Sequence, residues 1–232
     1  MQSAAMVRRP ASLPAAVLAL ALPVLLAGCV GAPEPVRRPV RTSTNWQVPA
    51  APESRMCLAG LSRTYANFTP LPDQYYGAGC SAVGAVRLAS LRSDSGMLQL
   101  SNLGPVTCPL ANTLSGWARF GVDRAARAIL GSPLMRIETM GSYACRNVAG
   151  SSRLSAHASA NAVDVSGFVL ADGRRITVLR DWDSPDPQVR AFLATIRGSA
   201  CKRFGTVLSP DYNAAHHDHF HLEVGGGRPF CR

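Results

Sequence analysis

All five histidines of this 232-residue chain fall in two places: His157 stands alone, and His216, His217, His219 and His221 lie within six residues of one another. Imidazole binds divalent metals as a neutral ligand and carries protons near neutral pH. The late tract is more than a metal-scavenging run, because Phe220, Leu222 and Val224 alternate with its last members. Read as a strand, 218–224 puts His219, His221 and Glu223 on one face and the three apolar residues on the other. Two imidazoles two residues apart then project side by side. After His157 comes Ala158-Ser159-Ala160-Asn161-Ala162-Val163-Asp164, a run of small residues that lets a loop bring the carboxylate back beside the imidazole at the start of the next strand. His157, Asp164 and a histidine of the late strand make a nitrogen and oxygen set of three with an open fourth position. Such a set describes a catalytic zinc site better than a structural one. A zinc ion (Zn2+) lowers the pKa of its bound water from about 15.7 to about 7, which supplies a hydroxide nucleophile at neutral pH.

The elements that must position these groups are of both kinds and in mixed order. Leu110, Leu114, Trp117 and Gly121 recur at helical spacing behind Pro109, which predicts a helix over 109–130. A strand is expected over 134–140. Asp172-Gly173 is a hairpin signal between two apolar runs, 163–170 and 176–179. Asp186-Pro187 starts a helix whose Val189, Phe192, Leu193, Ile196 and Ala200 share one face. The expected fold class is α+β, a small antiparallel sheet flanked by helices.

Ahead of this domain, Arg8 and Arg9 precede a short apolar stretch over 15–26 that ends Leu26-Ala27-Gly28-Cys29. That segment resembles the signal peptide and lipobox of bacterial lipoproteins, which implies removal of 1–28 and acylation of Cys29. Acyl chains make the protein membrane-anchored and its body periplasmic. Val30 rather than Asp after the cysteine favours the outer membrane over the inner. Residues 29–54 are rich in Pro and Arg and read as an extended tether, which leaves 55–232 as the folded domain. Six cysteines remain there, Cys57, Cys80, Cys108, Cys145, Cys201 and Cys231, an even set that reads as disulfides in an exported chain. Six thiols allow many connectivities and the sequence does not choose among them. The simplest expectation is sequential pairing, Cys57 with Cys80, Cys108 with Cys145, and Cys201 with Cys231. A net charge of +10 fits an anionic wall polymer, but the export signal and the lack of an aromatic and basic platform argue against nucleic acid.

Ser155-x-His157-x-x-Ala160-x-Ala162-x-Asp164 together with His216-His217-Asp218-His219-Phe220-His221 resembles the signature of the LAS metallopeptidases, named for lysostaphin, D-Ala-D-Ala peptidases and hedgehog. With its cysteines and Gly141-Ser142-Tyr143-Ala144-Cys145-Arg146, the chain is more closely similar to the bacterial extensin-like C-terminal domain family, and in its histidine motif to penicillin-insensitive murein endopeptidases. The resemblance implies a LAS-type core stapled by disulfides, with His157, Asp164 and His221 as zinc ligands. It implies His219 as general base or transition-state stabiliser, with Asp218 as the competing base, and a supporting catalytic role for His216; His217 has none. Arg146, with Tyr143 beside it, is the candidate for binding a substrate carboxylate. Ala160 stands where the wider group has Gly, which the loop tolerates if its backbone does not require positive φ. The implied function is a monomeric zinc-dependent peptidase that cleaves stem-peptide or crosslink amide bonds of peptidoglycan. The alternative is a non-catalytic, zinc-containing wall-binding lipoprotein.

Overall fold

A computed structural model describes residues 51–225 and 227–232. The expected leader, the lipidation site at Cys29 and the tether up to residue 50 lie outside the described residues. The folded part starts with helix α1, Pro52–Arg63, so the expected tether ends before Ser54. Pro52 fits the first helical turn, where its missing N–H is not needed, and Glu53 and Arg63 complement the two ends of the helix dipole.

Strands β1 (Asn67–Pro70), β2 (Gln74–Gly77), β3 (Cys80–Ala82), β4 (Ala85–Arg92), β5 (Met97–Ser101) and β6 (Val106–Thr107) follow. A helical stretch then runs unbroken through α2 (Cys108–Gly116), a π-helical segment (Trp117–Asp123) and α3 (Arg124–Leu130), as the spacing over 109–130 predicts. Thr107 caps it by accepting the Leu110 N–H, and Asp123, fully buried, is satisfied by the Leu134 N–H and by Arg127. The chain continues through β7 (Leu134–Gly141), a 3-10 turn (Ala156–Ser159), β8 (Ala162–Leu170), β9 (Arg175–Thr177), α4 (Val178–Asp181) and α5 (Pro187–Cys201). It closes with β10 (Thr206–Leu208), a second 3-10 turn (Ala214–His216), β11 (Phe220–Glu223) and β12 (Phe230–Cys231). The apolar run expected over 176–179 is only half strand: Thr177 caps α4 by accepting the Arg180 N–H, and the chain turns there.

The fold is α+β, with a mostly antiparallel sheet larger than the small one expected. Ten strands join it along the path β1-β4-β5-β7-β8-β11-β10-β12, with β6 on β4 and β9 on β8, while β2 and β3 form a separate hairpin. Two neighbours run parallel, β5 with β7 and β10 with β12. The first follows from the long helical stretch between them, since parallel strands need a crossover. Trp117, Phe168 and Phe192 meet edge to face between this helix, the sheet and α5, and the Trp117 indole N–H donates to the Ile196 carbonyl at 3.0 Å.

Two of the three sequentially expected disulfides are replaced. Cys57 pairs with Cys108, and Cys80 with Cys145, while Cys201 pairs with Cys231 as expected. The reason is tertiary. Helix α1 lies against α2, with the Asn112 amide donating to the Cys57 carbonyl at 3.1 Å, so Cys57 meets the first residue of α2. That leaves Cys80, on β3, for the loop after β7.

Candidate metal centre

The cluster begins with a cross-strand pair. In the antiparallel register of β11 on β8, His221 lies opposite Asp164, flanked by Phe220 opposite Val165 and Leu222 opposite Val163. Alternation sends the four apolar side chains into the core, where each is fully buried, and turns Asp164 and His221 to the other face. His157 arrives from the 3-10 turn Ala156–Ser159, capped by Ser155, whose side chain accepts the His157 N–H. The three residues expected from the sequence therefore meet: one donor atom from each lies within 4.8 Å of the others. His157 Nε2 is 3.1 Å from Asp164 Oδ2 and 3.2 Å from His221 Nδ1, and His221 Nδ1 is 2.9 Å from Asp164 Oδ1.

The outer nitrogens explain why these atoms suit a cation. His157 Nδ1–H donates to the Ser142 carbonyl at 3.1 Å, and His221 Nε2–H faces Glu223 Oε2 at 3.5 Å. With a cation among them, both rings can turn a lone pair toward it beside the carboxylate. Such a set repels itself unless a positive charge sits among its atoms, and carboxylate or carbonyl support behind a ligating imidazole is the usual arrangement of metal sites. In the metal-free protein a proton fills this need. Burial lowers the pKa of His221, but hydrogen bonds to Asp164 and Glu223 outweigh it and raise the pKa to about 9. Burial pushes the Asp164 carboxyl up, and the bonds from His157 and His221 hold it well below the usual carboxylate range.

His219, just before β11, presents Nε2 at 3.5 Å from Asp164 Oδ1, while its Nδ1–H donates to Asp218 Oδ1 at 2.7 Å. Asp218 does not line the cleft above the cluster; it sits behind His219 and fixes the ring. His216, on the second 3-10 turn, donates Nδ1–H to Asn213 Oδ1 at 2.7 Å, and its ring centroid lies 5.1 Å from that of His219. Burial lowers its pKa to about 4, with the neighbouring His219 and His221 adding to the effect. His217 is exposed, donates to the Ala214 carbonyl and does not line the cleft.

The cleft measures about 470 Å³ and is open to solvent, with Asp164, His219, His221 and Glu223 on its floor and Tyr212 and Phe230 on one wall. Arg146 lines it, as expected. Tyr143 does not: its ring packs against Tyr76 at 5.0 Å and against Ala82, Ala85 and Ala160, so it belongs to the wall that supports the loop. The Cys80–Cys145 bridge draws Tyr143 to the β2–β3 hairpin, which the expected pairing would not have done. Arg153, Asn213 and the Ser142 carbonyl are contributors that sequence reasoning missed. Ala160 adopts φ 55°, ψ 27°, so the loop does require the left-handed conformation that glycine would take without strain.

The family model for the extensin-like protein C-terminus matches residues 55–232. The chain belongs to this family. No curated protein and no solved structure matches it. The matched span of this extensin-like chain contains all three clustered donors, His216, His219 and all six paired cysteines.

Proposed function

We propose that this protein is a zinc-dependent peptidase of the LAS type that cleaves stem-peptide or crosslink amide bonds of peptidoglycan, held in the periplasm by a lipid on Cys29. The observation that carries the reading is the convergence of the His157, Asp164 and His221 donors beside a His219 ring oriented by Asp218, on the floor of an open cleft. A purely structural zinc site closes its fourth position with protein, whereas this cluster faces solvent. The histidine spacing, like that of the murein endopeptidases, supports the same choice.

His157 Nε2, Asp164 and His221 Nδ1 would hold the metal, which when bound supplies Lewis acidity and an acidified water. The Asp218 carboxylate keeps the His219 proton on Nδ1 and leaves Nε2 free to take a proton from an attacking water. As an imidazolium, balanced by Asp218, His219 then returns that proton to the leaving amine. His216, kept neutral and with Nδ1–H held by Asn213, offers an acceptor at Nε2 that orients water or a substrate N–H. Glu223 and the Ser142 carbonyl keep the two ligand rings in their tautomers.

The test is incubation of the purified protein, loaded with one zinc, with crosslinked muropeptides. Cleavage by wild type and its loss in His219→Ala at unchanged zinc content support the reading. A zinc-loaded wild type that leaves every muropeptide intact removes it and favours the non-catalytic wall-binding alternative.

A further inference from the structure

One wall of the cleft is built by the last strands of the sheet. In the register of β10 with β11, Leu208 lies opposite His221 and Thr206 opposite Glu223, and in that of β12 with β10, Phe230 lies opposite Thr206. Alternation sends Val207 into the core and leaves Thr206, Leu208 and Phe230 on the side of the cleft, with Asp164 and His221. The short strand β12 is held firmly. Its Phe230 N–H donates to the Gly205 carbonyl at 2.8 Å and the Arg232 N–H to the Val207 carbonyl at 2.9 Å; the Ser209 N–H and hydroxyl both donate to the Arg232 main-chain oxygen, and Cys231 is bonded to Cys201.

Two aromatic rings stand on this wall. Tyr212 lies on the turn after β10, closed by its N–H on the Ser209 carbonyl at 2.9 Å, and meets Phe230 edge to face, with centroids 5.8 Å apart and planes at 88°. The Arg232 guanidinium lies 5.4 Å from the Phe230 centroid, and the His216 ring 5.5 Å from that of Tyr212. Each ring is thus fixed by two partners, yet both are 42% exposed and both line the cleft. Rings held in place with that much free area form a preformed apolar platform, and binding to it costs little ordering. Hydrogen-bonding groups border it: Thr206 and Asn213 line the same cleft, and since Asn213 Oδ1 is taken by the Ala215 and His216 N–H groups, its amide nitrogen is left to donate. An apolar platform rimmed by polar groups is complementary to a sugar ring, which has an apolar C–H face and an edge of hydroxyl and acetamido groups.

We propose that Tyr212 and Phe230 form a saccharide-binding subsite of the cleft, which stacks on the C–H face of an N-acetylated amino sugar carried by the stem peptide. This rests on the peptidase reading for the substrate class and names the part of that substrate which the aromatic wall takes. A stem peptide of alanine, glutamate and a diamino acid has no large apolar side chain, so the sugar at its N-terminal end bears its one broad apolar face. The span matches as well. Two strand spacings across the sheet and two residues along it put Phe230 about 12 Å from His221. That is the length of about three to four extended residues, the separation of the sugar from a D-Ala amide in the stem.

The experiment uses zinc-loaded His219→Ala protein, so that binding is read without cleavage, and two probes. One is the tetrapeptide L-Ala-γ-D-Glu-L-Lys-D-Ala joined to its N-acetylglucosaminyl-N-acetylmuramyl disaccharide; the other is the N-lactoyl tetrapeptide, which keeps the peptide and its uncharged N-terminal amide but lacks both sugars. Titration calorimetry is expected to show the first binding at least about tenfold tighter than the second. Adding Phe230→Ala is expected to bring that ratio close to one at unchanged zinc content, while Phe230→Tyr, which keeps a ring, retains most of it. Where Phe230→Ala does not fold, Phe230→Leu, which keeps apolar volume without a ring, carries the same expectation. Equal binding of the two probes, binding of neither, or a ratio that the Phe230 variants and Tyr212→Ala all leave untouched overturns the proposal. Sugar preference in a protein whose wild type cleaves no muropeptide would remove the peptidase reading and leave the saccharide subsite standing, whereas cleavage without sugar preference would do the reverse.

Discussion

At the scale of single residues, the proposed mechanism gives His219 and Asp218 separable roles. Substituting His219 by Ala removes the proton carrier and is expected to lower turnover on muropeptides by about 10²- to 10⁴-fold with zinc retained. Asp218→Asn keeps a partner for the ring but removes its charge, and a smaller loss of about 10- to 100-fold is expected. Steady-state rates on one muropeptide, measured beside zinc content, check both. The proton on His221 gives a further expectation. Its pKa in the metal-free protein is raised to about 9, so at pH 7 a metal must displace that proton. Zinc affinity should therefore be highest above pH 9 and fall about tenfold for each unit below it, with one proton released per zinc at pH 7 to 8. Chelator competition at several pH values, or calorimetry in buffers of differing ionisation enthalpy, measures this; affinity flat between pH 7 and 9 would contradict the arrangement of His221 between Asp164 and Glu223. Ala160 holds a left-handed backbone while its methyl is fully buried against Ala82 and Ala85. Glycine would relieve about 1–2 kcal/mol of backbone strain and forfeit about 0.8 kcal/mol of methyl burial, so Ala160→Gly should stay within about 1 kcal/mol of wild type in urea unfolding. Ala160→Val adds β-branching and volume where neither fits, and should cost more than about 2 kcal/mol.

At the scale of elements, the three candidate metal ligands come from three pieces of chain whose relative placement is set in different ways. β8 and β11 are locked by their register, since a slip by one residue would send Asp164 or His221 into the core in place of Val163 or Leu222. The turn with His157 has no such ladder and depends on its caps and on the stapled hairpin before it. The Cys80–Cys145 bridge closes a long loop, so replacing both by Ser should cost about 2–5 kcal/mol of stability by denaturant unfolding. Because the bridge anchors the loop that leads into the His157 turn and not the sheet, that variant should also bind zinc more weakly, through a loosened His157, while the pairing of β8 with β11 is kept.

At the scale of the whole molecule, the cluster ties together the last strands and the centre of the sheet. A metal bound there stabilises the folded state by mass action, about 2.7 kcal/mol at a free concentration of 100 times Kd. For a domain of this size that corresponds to a rise in melting temperature of about 5–10 °C. Zinc should produce that rise in wild type, a chelator should reverse it, and His157→Ala should abolish it; differential scanning calorimetry reads all three. Among the described residues no helix is long and apolar enough to cross a membrane.

Much of the site was legible in the chain because its signals are local. His157 and Asp164 are joined by small residues only, and the alternation of His219, Phe220, His221, Leu222 and Glu223 follows directly from the period of a strand. The helices over 108–130 and 187–201 carry long apolar stripes, and the β8–β9 turn is marked by Asp172-Gly173. The strands between residues 67 and 107 left little trace: all but β4 have five residues or fewer, and β1 and β2 are largely exposed. What only the tertiary structure decided depends on which segments lie side by side. Disulfide pairing followed from α1 resting on α2; the parallel β5–β7 pair followed from the helical crossover; Tyr143 was turned from the cleft into its supporting wall. Arg153 joined Arg146 on the wall of the cleft for the same reason, since seven positions of sequence separate them and only the pairing of Asn147 with Leu154 puts both residues on one face. Residue type and periodicity fix what a side chain can do and which way it faces along its own element, whereas the partner it meets is fixed by packing across the fold.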